Sequence, residues 1–326
     1  MRAADVPLMI RAGHGLILIV ISLLLTGVVM VTSAGLTVGG ESESAMTLRD
    51  LLLGRSALFA ALAVALMLLA SRVPVGRLYS ARGPASPIPW IVIGSIALLI
   101  LVHVPGIGVE VNGARRWIRL GPLGFQPSEV AKWGLLIVLA WHAARRVGSM
   151  GRFHSGFLAP MTLIGVICAL IVTEDLGTAA LIAMVGTLLI LAAGARLRHV
   201  ALLVPFGAAG FAAAVLTSPY RIDRLRAFAD PYQDPQGIGY HVLQSMAAVS
   251  GGGLPGRGLG NGLQKFGYLP EDTTDFIFAV VCEELGIVGA AVVIGLYVTL
   301  LLCGFSIVRR VAHPFPRLLG LGILLT

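Results

Sequence analysis

The chain has 326 residues, 57% of them hydrophobic and only 12% charged, an apolar share above the roughly 45–50% of soluble domains. A water-soluble core cannot absorb that much apolar surface, so a soluble globular protein is excluded and an all-α polytopic membrane protein is expected. The formal net charge of +8 does not mark a nucleic-acid binder, because the basic residues punctuate the gaps between apolar runs and form no single patch.

Windows of about 19 residues predict membrane spans near 15–35, 52–71, 88–105, 129–147, 157–173, 178–195, 199–217 and 276–308. A ninth apolar run begins around Leu318 and the chain stops at Thr326, too soon for a helix to cross, so a C-terminally truncated form is expected. The first span continues into further spans and should be retained, not cleaved. No soluble domain, linker, low-complexity tract or short repeat interrupts the pattern, and residues 1–326 are expected to form a single integral membrane domain. Cys168, Cys282 and Cys303 all lie inside apolar runs without C-x-x-C spacing, as packing residues would.

Loop charges set the orientation. The N-terminus and the even gaps carry Arg2, Arg11, Arg72, Arg77, Arg82, Arg145, Arg146, Arg152, Arg196, Arg198, Arg309, Arg310 and Arg317, opposed there only by Asp5. The other gaps hold most of the acidic residues, including Glu41, Glu43, Asp50, Glu174, Asp175, Asp230, Asp234 and Asp275. The positive-inside rule then puts the N-terminus in the cytoplasm and the long segment of about 218–275, before the eighth span, on the outside. Its aromatic residues, its apolar stretch at 238–249 and its glycines at 251–262 suit a segment that packs on the membrane face or re-enters it.

Ionisable residues inside spans are expensive and point to function or to a partner. Glu129 and Lys132 lie three residues apart on one face of the fourth span, either as a structural ion pair or as the lining of a polar cavity. Glu283 and Glu284 follow Asp275 by about two helical turns, so at least one carboxylate must face protein or water. Asp275 ends the string Thr273-Thr274-Asp275, which also fits a helix N-cap. Asp175, within Thr173-Glu174-Asp175-Leu176-Gly177-Thr178, fits an ordinary short turn. Arg115, Arg116 and Arg119 surround Trp117 on the outer side, against the orientation rule. An anion is expected there, either a diphosphate-bearing lipid or ordinary anionic head groups.

The order of these motifs along the chain resembles that of the SEDS family. The matching strings are Asn112-Gly113-Ala114-Arg115-Arg116-Trp117, Gln126-Pro127-Ser128-Glu129-Val130-Ala131-Lys132, Asp175-Leu176-Gly177-Thr178, Gly239-Tyr240-His241-Val242-Leu243-Gln244-Ser245, Ser250-Gly251-Gly252-Gly253, Gly258-Leu259-Gly260-Asn261, Gln264-Lys265, Tyr268-Leu269-Pro270-Glu271, Thr274-Asp275-Phe276 and Glu283-Glu284-Leu285-Gly286. The glycine loop with Gln264-Lys265 looks more like the FtsW and SpoVE branch than the RodA branch. Three departures stand out: Thr273 where many members have His, Glu174 where Pro is usual, and fewer than the usual ten spans.

The resemblance implies a SEDS-type helical bundle in the bacterial inner membrane that polymerises lipid II into glycan strands for division or septal wall synthesis, by inverting glycosyl transfer. It implies Asp275 as the base, Arg115, Arg116, Arg119 and Lys132 as contacts of the leaving diphosphate, and Glu129 beside them in the cavity. It further implies substrate contacts at Asp175, Gln244, Ser245 and Lys265, a hard divalent cation (Mg or Mn) of unknown ligands as an assisting group, and a class B penicillin-binding protein with other division proteins as partners. A lipid II flippase and a non-catalytic scaffold are the rival functions.

Overall fold

The computed structural model describes residues 5–35, 48–80, 86–111, 113–121, 123–263 and 268–326. In chain order these form α1 (Asp5–Ala34), α2 (Leu48–Leu53), α3 (Arg55–Ser71), α4 (Val75–Ser80), α5 (Pro87–Leu101), β1 (Gly108–Val111), β2 (Ala114–Leu120) and β3 (Leu123–Phe125). There follow α6 (Pro127–Arg145), a π turn (Phe153–Leu158) leading into α7 (Ala159–Ile171), α8 (Leu176–Ala192) and α9 (Leu197–Leu216). The rest comprises α10 (Pro219–Ala229), a short turn (Pro231–Gln233), α11 (Tyr240–Gly252), α12 (Ile277–Arg310) and α13 (Pro314–Leu325).

Four stretches, Ala12–Ala34, Phe153–Ile171, Leu197–Leu216 and Ile277–Arg310, are long and apolar enough to cross a membrane. The shorter apolar helices Arg55–Ser71, Pro87–Leu101 and Leu176–Ala192 fall on three further expected spans, and α6, which carries Glu129 in its first turn and Arg145 in its last, falls on the remaining one. Exposure runs opposite to that of a soluble protein: Leu58, Phe59, Leu62, Leu66 and Leu69 on α3, and Ile287, Val288, Val292 and Ile294 on α12, all point outward. In water each would forfeit about 1.5–3 kcal/mol of burial; against lipid they lose nothing. The chain is a multi-pass membrane protein. Its final helix starts at Pro314, ahead of the expected Leu318, because the His313 ring accepts the Phe315 N–H at 3.2 Å and Pro314 occupies the first turn.

The residues fall into two compact units. The first comprises Pro74–Thr217 and Gly304–Thr326, with the N-terminal residues to Asp5. Its core is organised on α6, whose Ala131, Leu135, Leu136, Leu139, Ala140 and Ala143 are buried against Leu99 of α5, Ile164 and Ile167 of α7, Ile182 and Leu189 of α8, and Phe315 and Leu318 of α13. Small residues let α5 approach closely: a Cβ on Gly134 would lie 2.8 Å from Ser95 Oγ.

Between α5 and α6, the strands β1, β2 and β3 form an antiparallel sheet in the order β1-β2-β3. Val111 pairs with Ala114, and Gly113 just before Ala114 has φ of 76°, as a hairpin turn matched to strand twist requires.

The second unit comprises Val6–Val73 and Ser218–Cys303. The long segment expected as one large loop at 218–275 is built largely from α10 and α11, and Leu269, which follows α11, is buried with Met30, Ala34, Ala248, Ala279, Val280 and Val281.

Candidate active site

In the first unit, β2 sorts the arginines by strand alternation. Arg115, Trp117 and Arg119 are exposed, whereas Ile118 is buried and Arg116 half-buried. Arg115 is tied down twice: its backbone N–H donates to Glu174 Oε2 at 2.7 Å, and its Nε lies 3.5 Å from Glu110 Oε2. Arg116 Nη1 lies 3.5 Å from Asp175 Oδ2, which also accepts from Gln126 Nε2 at 3.4 Å. Asp175 in turn caps α8, accepting the Thr178 N–H on Oδ1 and the Thr178 hydroxyl on Oδ2, both at 2.9 Å. Glu110 and Asp175 thus stand beside two of the guanidinium groups, those of Arg115 and Arg116, within the protein. Arg119 makes no hydrogen bond or ion pair with any described residue, and with Trp117, Val111 and Gly124 it lines an open concavity.

Beneath the sheet, His103, Arg115, Arg116, Glu174 and Asp175 line a small cavity together with Ser128 of the first turn of α6. The Ser128 hydroxyl is buried without a partner. One helical turn on, Lys132 Nζ sits 2.7 Å from Glu129 Oε2, with the lysine side chain 11% exposed and the glutamate 47%. Lys132 also lies over the Trp133 ring at 5.3 Å. The lysine is thus largely covered and pairs with a glutamate that is more open to solvent.

In the second unit, Asp275 sits in the turn immediately before α12 and is exposed. As an N-cap it would accept a backbone N–H. Instead, Phe276 N–H donates to Glu271 O at 3.2 Å and Ile277 N–H to Thr274 O at 3.5 Å, and the Asp275 carboxylate engages no described residue. Sequence reasoning missed His241, whose ring stacks on Phe276 at 5.9 Å and sets the start of α11 beside the start of α12. Gln244 and Ser245 follow on α11, half-buried, with Ser245 Oγ donating to Val242 O at 2.8 Å. Lys265 lies outside the described residues.

At least one of the Glu283 and Glu284 carboxylates is expected from the sequence to face protein or water, and both meet protein. Glu283 and Glu284 are 1% and 0% exposed, and both receive the glycine loop. Leu263 N–H donates to Glu283 Oε1 at 2.8 Å, and Gly262 N–H to Glu284 Oε1 at 3.4 Å. Glu284 Oε2 accepts from Ser33 Oγ at 2.6 Å and from Gly260 N–H at 3.1 Å, and Arg257 Nε stands 3.7 Å from Glu283 Oε1. Just beyond, Gly286 breaks α12 with φ of 66° and ψ of −165°. The loop replaces the helical bonds lost there. Arg257 and Gly258 N–H donate to the carbonyls of Glu283 and Glu284 at 3.0 and 2.9 Å, and Ile287 N–H donates to Gly253 O at 3.0 Å. An interrupted helix in a membrane protein is tolerable only when protein groups supply such partners. The sequence carries the parts, an acidic pair followed by Gly286 and a glycine-rich loop before it, but not their pairing.

The family model FTSW_RODA_SPOVE, described as a cell cycle protein, matches residues 14–326. The chain belongs to the FtsW/RodA/SpoVE family. Among curated relatives of this FtsW/RodA/SpoVE chain, the probable peptidoglycan glycosyltransferase FtsW of Thioalkalivibrio sulfidiphilus is 40% identical over 95% of the chain and 75% of the relative's length. Stage V sporulation protein E of Bacillus subtilis is 39% identical over 70% of the chain and 62% of its own length. A solved structure described as "Structural coordination of polymerization and crosslinking by a peptidoglycan synthase complex" is similar with a TM-score of 0.71 and 29% identity, covering 95% of this chain and 82% of that one. The FtsW/RodA/SpoVE bundle is therefore the fold.

Proposed function

We propose that this chain is a peptidoglycan glycosyltransferase that polymerises lipid II for septal wall synthesis. The observation that carries the reading is the 40% identity, along 95% of the chain, to a relative named for that activity. The chemistry transfers the growing strand from its undecaprenyl diphosphate to the 4-hydroxyl of an incoming lipid II. In that step the acceptor proton goes to a base, the new C–O bond forms with inversion, and the bond to the diphosphate breaks.

Asp275 is the base in this account: an exposed, unengaged carboxylate has its lone pairs available to an acceptor hydroxyl. Arg119 and the exposed guanidinium of Arg115 attract the leaving diphosphate, with Trp117 anchoring the same strand face at the lipid interface. Arg116 and Asp175 hold each other and so keep the hairpin on α8, while Lys132 and Glu129 supply a second charged contact. Gln244 and Ser245, on the helix that His241 docks beside Asp275, serve the glycan. Among the described residues no three His, Cys, Asp or Glu side chains converge to hold a metal. A Mg or Mn ion would be held chiefly by the substrate's phosphate oxygens, which leaves Asp275 free to act as the base. When bound, it would neutralise charge on the leaving diphosphate.

The membrane is the bacterial inner membrane in this proposal, with the N-terminus cytoplasmic and Asp275 on the outer face. A class B penicillin-binding protein would supply crosslinking, in the company of other division proteins; the related synthase complex, described as coordinating polymerization and crosslinking, supports that pairing. The test is purified lipid II incubated with this protein and a cognate transpeptidase whose crosslinking site is blocked. Glycan ladders that require this chain support the polymerase. Movement of lipid II across proteoliposomes without ladders would favour a flippase, and neither activity would leave a scaffold.

A further inference from the structure

The mechanism above uses Asp275 but not the two buried acids that follow it, and burying two adjacent carboxylates is costly unless each is hydrogen-bonded. Among the described residues, Glu283 and Glu284 take the N–H groups of Gly260, Gly262 and Leu263, with the Ser33 hydroxyl of α1 and Arg257 beside them. The backbone at the Gly286 break is stitched to the same loop through Gly253, Arg257 and Gly258. A side chain at Gly286 would strike Gly256 N and Leu254 O, and one at Gly256 would strike Glu284 O, so loop and helix meet backbone to backbone.

The break leaves a half-helix, residues 277–285, roughly 13 Å long at 1.5 Å per residue, with Asp275 just beyond one end and the clamp at the other. The half-helix also packs through Ala279 and Val280 on Leu269, Met30 and Ala34, and these last two flank Ser33 on α1, so the packing and the clamp share that helix. We infer that Glu283 and Glu284 are positioning residues that lock loop 253–263 into the interrupted helix and so fix where Asp275 is presented. The inference rests on the polymerase reading and deepens it. Both acids act through Asp275 without touching substrate. Loosening the clamp lets the half-helix pivot at Gly286, and a base displaced by about 1 Å costs catalysis up to 100-fold while leaving substrate contacts elsewhere intact.

The test compares wild type with Glu284→Gln, Glu283→Gln and the milder Ser33→Ala, each in the full chain with its transpeptidase partner. Two readouts are taken: steady-state lipid II polymerisation, and hydrogen–deuterium exchange of segments 253–263 and 268–285. Gln retains shape and one acceptor oxygen, and Ser33→Ala removes one donor, so a folded variant is expected in the series. The inference predicts kcat lowered at least tenfold in Glu284→Gln and severalfold in Ser33→Ala, KM for lipid II within twofold, and faster exchange in both segments. Unchanged kcat would overturn it, as would a raised KM with kcat intact, which would make the acids substrate contacts. A wild-type protein that forms no polymer removes the polymerase reading instead, and unchanged exchange at 268–285 in Glu284→Gln would then overturn the clamp.

Discussion

Asp175 shows how one residue can serve two readings at once. It is a helix cap by its bonds to Thr178 and a charge partner by its approach to Arg116. Asp175→Ala removes a cap worth about 0.5–2 kcal/mol and leaves Arg116 unanswered, so the melting temperature in detergent should fall by several degrees. Asp175→Asn, which can still cap, should recover part of that loss. Arg119 behaves in the opposite way, because it has no described partner to lose. Arg119→Ala should leave the melting temperature unchanged and raise KM for lipid II about tenfold, as loss of one charge-assisted contact of about 1.5 kcal/mol would. Sequence reasoning grouped Arg115, Arg116 and Arg119 and read Asp175 apart from them, as an ordinary turn. It could not divide the arginines, because which arginine is answered depends on strand alternation and on where Glu174 and Asp175 land.

At the scale of elements, the helices were legible because apolar runs of membrane length admit little else, and the hairpin was not. Its signal was Asn112-Gly113 between short runs of β-formers, but seven residues of strand alternation are faint beside eight hydropathy peaks. Gly113→Ala tests the element directly. A side chain at φ of 76° costs about 1–2 kcal/mol, so exchange of the strand amides in 108–120 should quicken while that of α6 stays slow. The helices within the 218–275 segment were not legible for a related reason: α10 and α11 are too short to register as spans, and the glycines drew attention to turns. What those glycines provide is contact with Glu283 and Glu284, a pairing between positions some twenty residues apart that no local pattern reveals.

For the whole molecule, composition alone decided between water and lipid, and loop charges proposed an orientation. An accessibility assay can check it: a cysteine replacing Ser250 should react with an impermeant thiol reagent in intact cells, and one replacing Arg198 should not. The divalent ion belongs to this scale as well, since substrate supplies most of its ligands in the proposal. Chelation should lower polymerisation at least tenfold without shifting the melting temperature, whereas a structural metal would move both.

The base is the centre of the account, and Asp275→Asn tests it most directly because it keeps the size of an exposed side chain that makes no described bond. Single-turnover polymerisation of lipid II should fall by 100-fold or more in Asp275→Asn, with lipid II affinity within a fewfold of wild type and thermal stability unchanged. A variant that polymerises at the wild-type rate would contradict the assignment and move the base elsewhere on the chain.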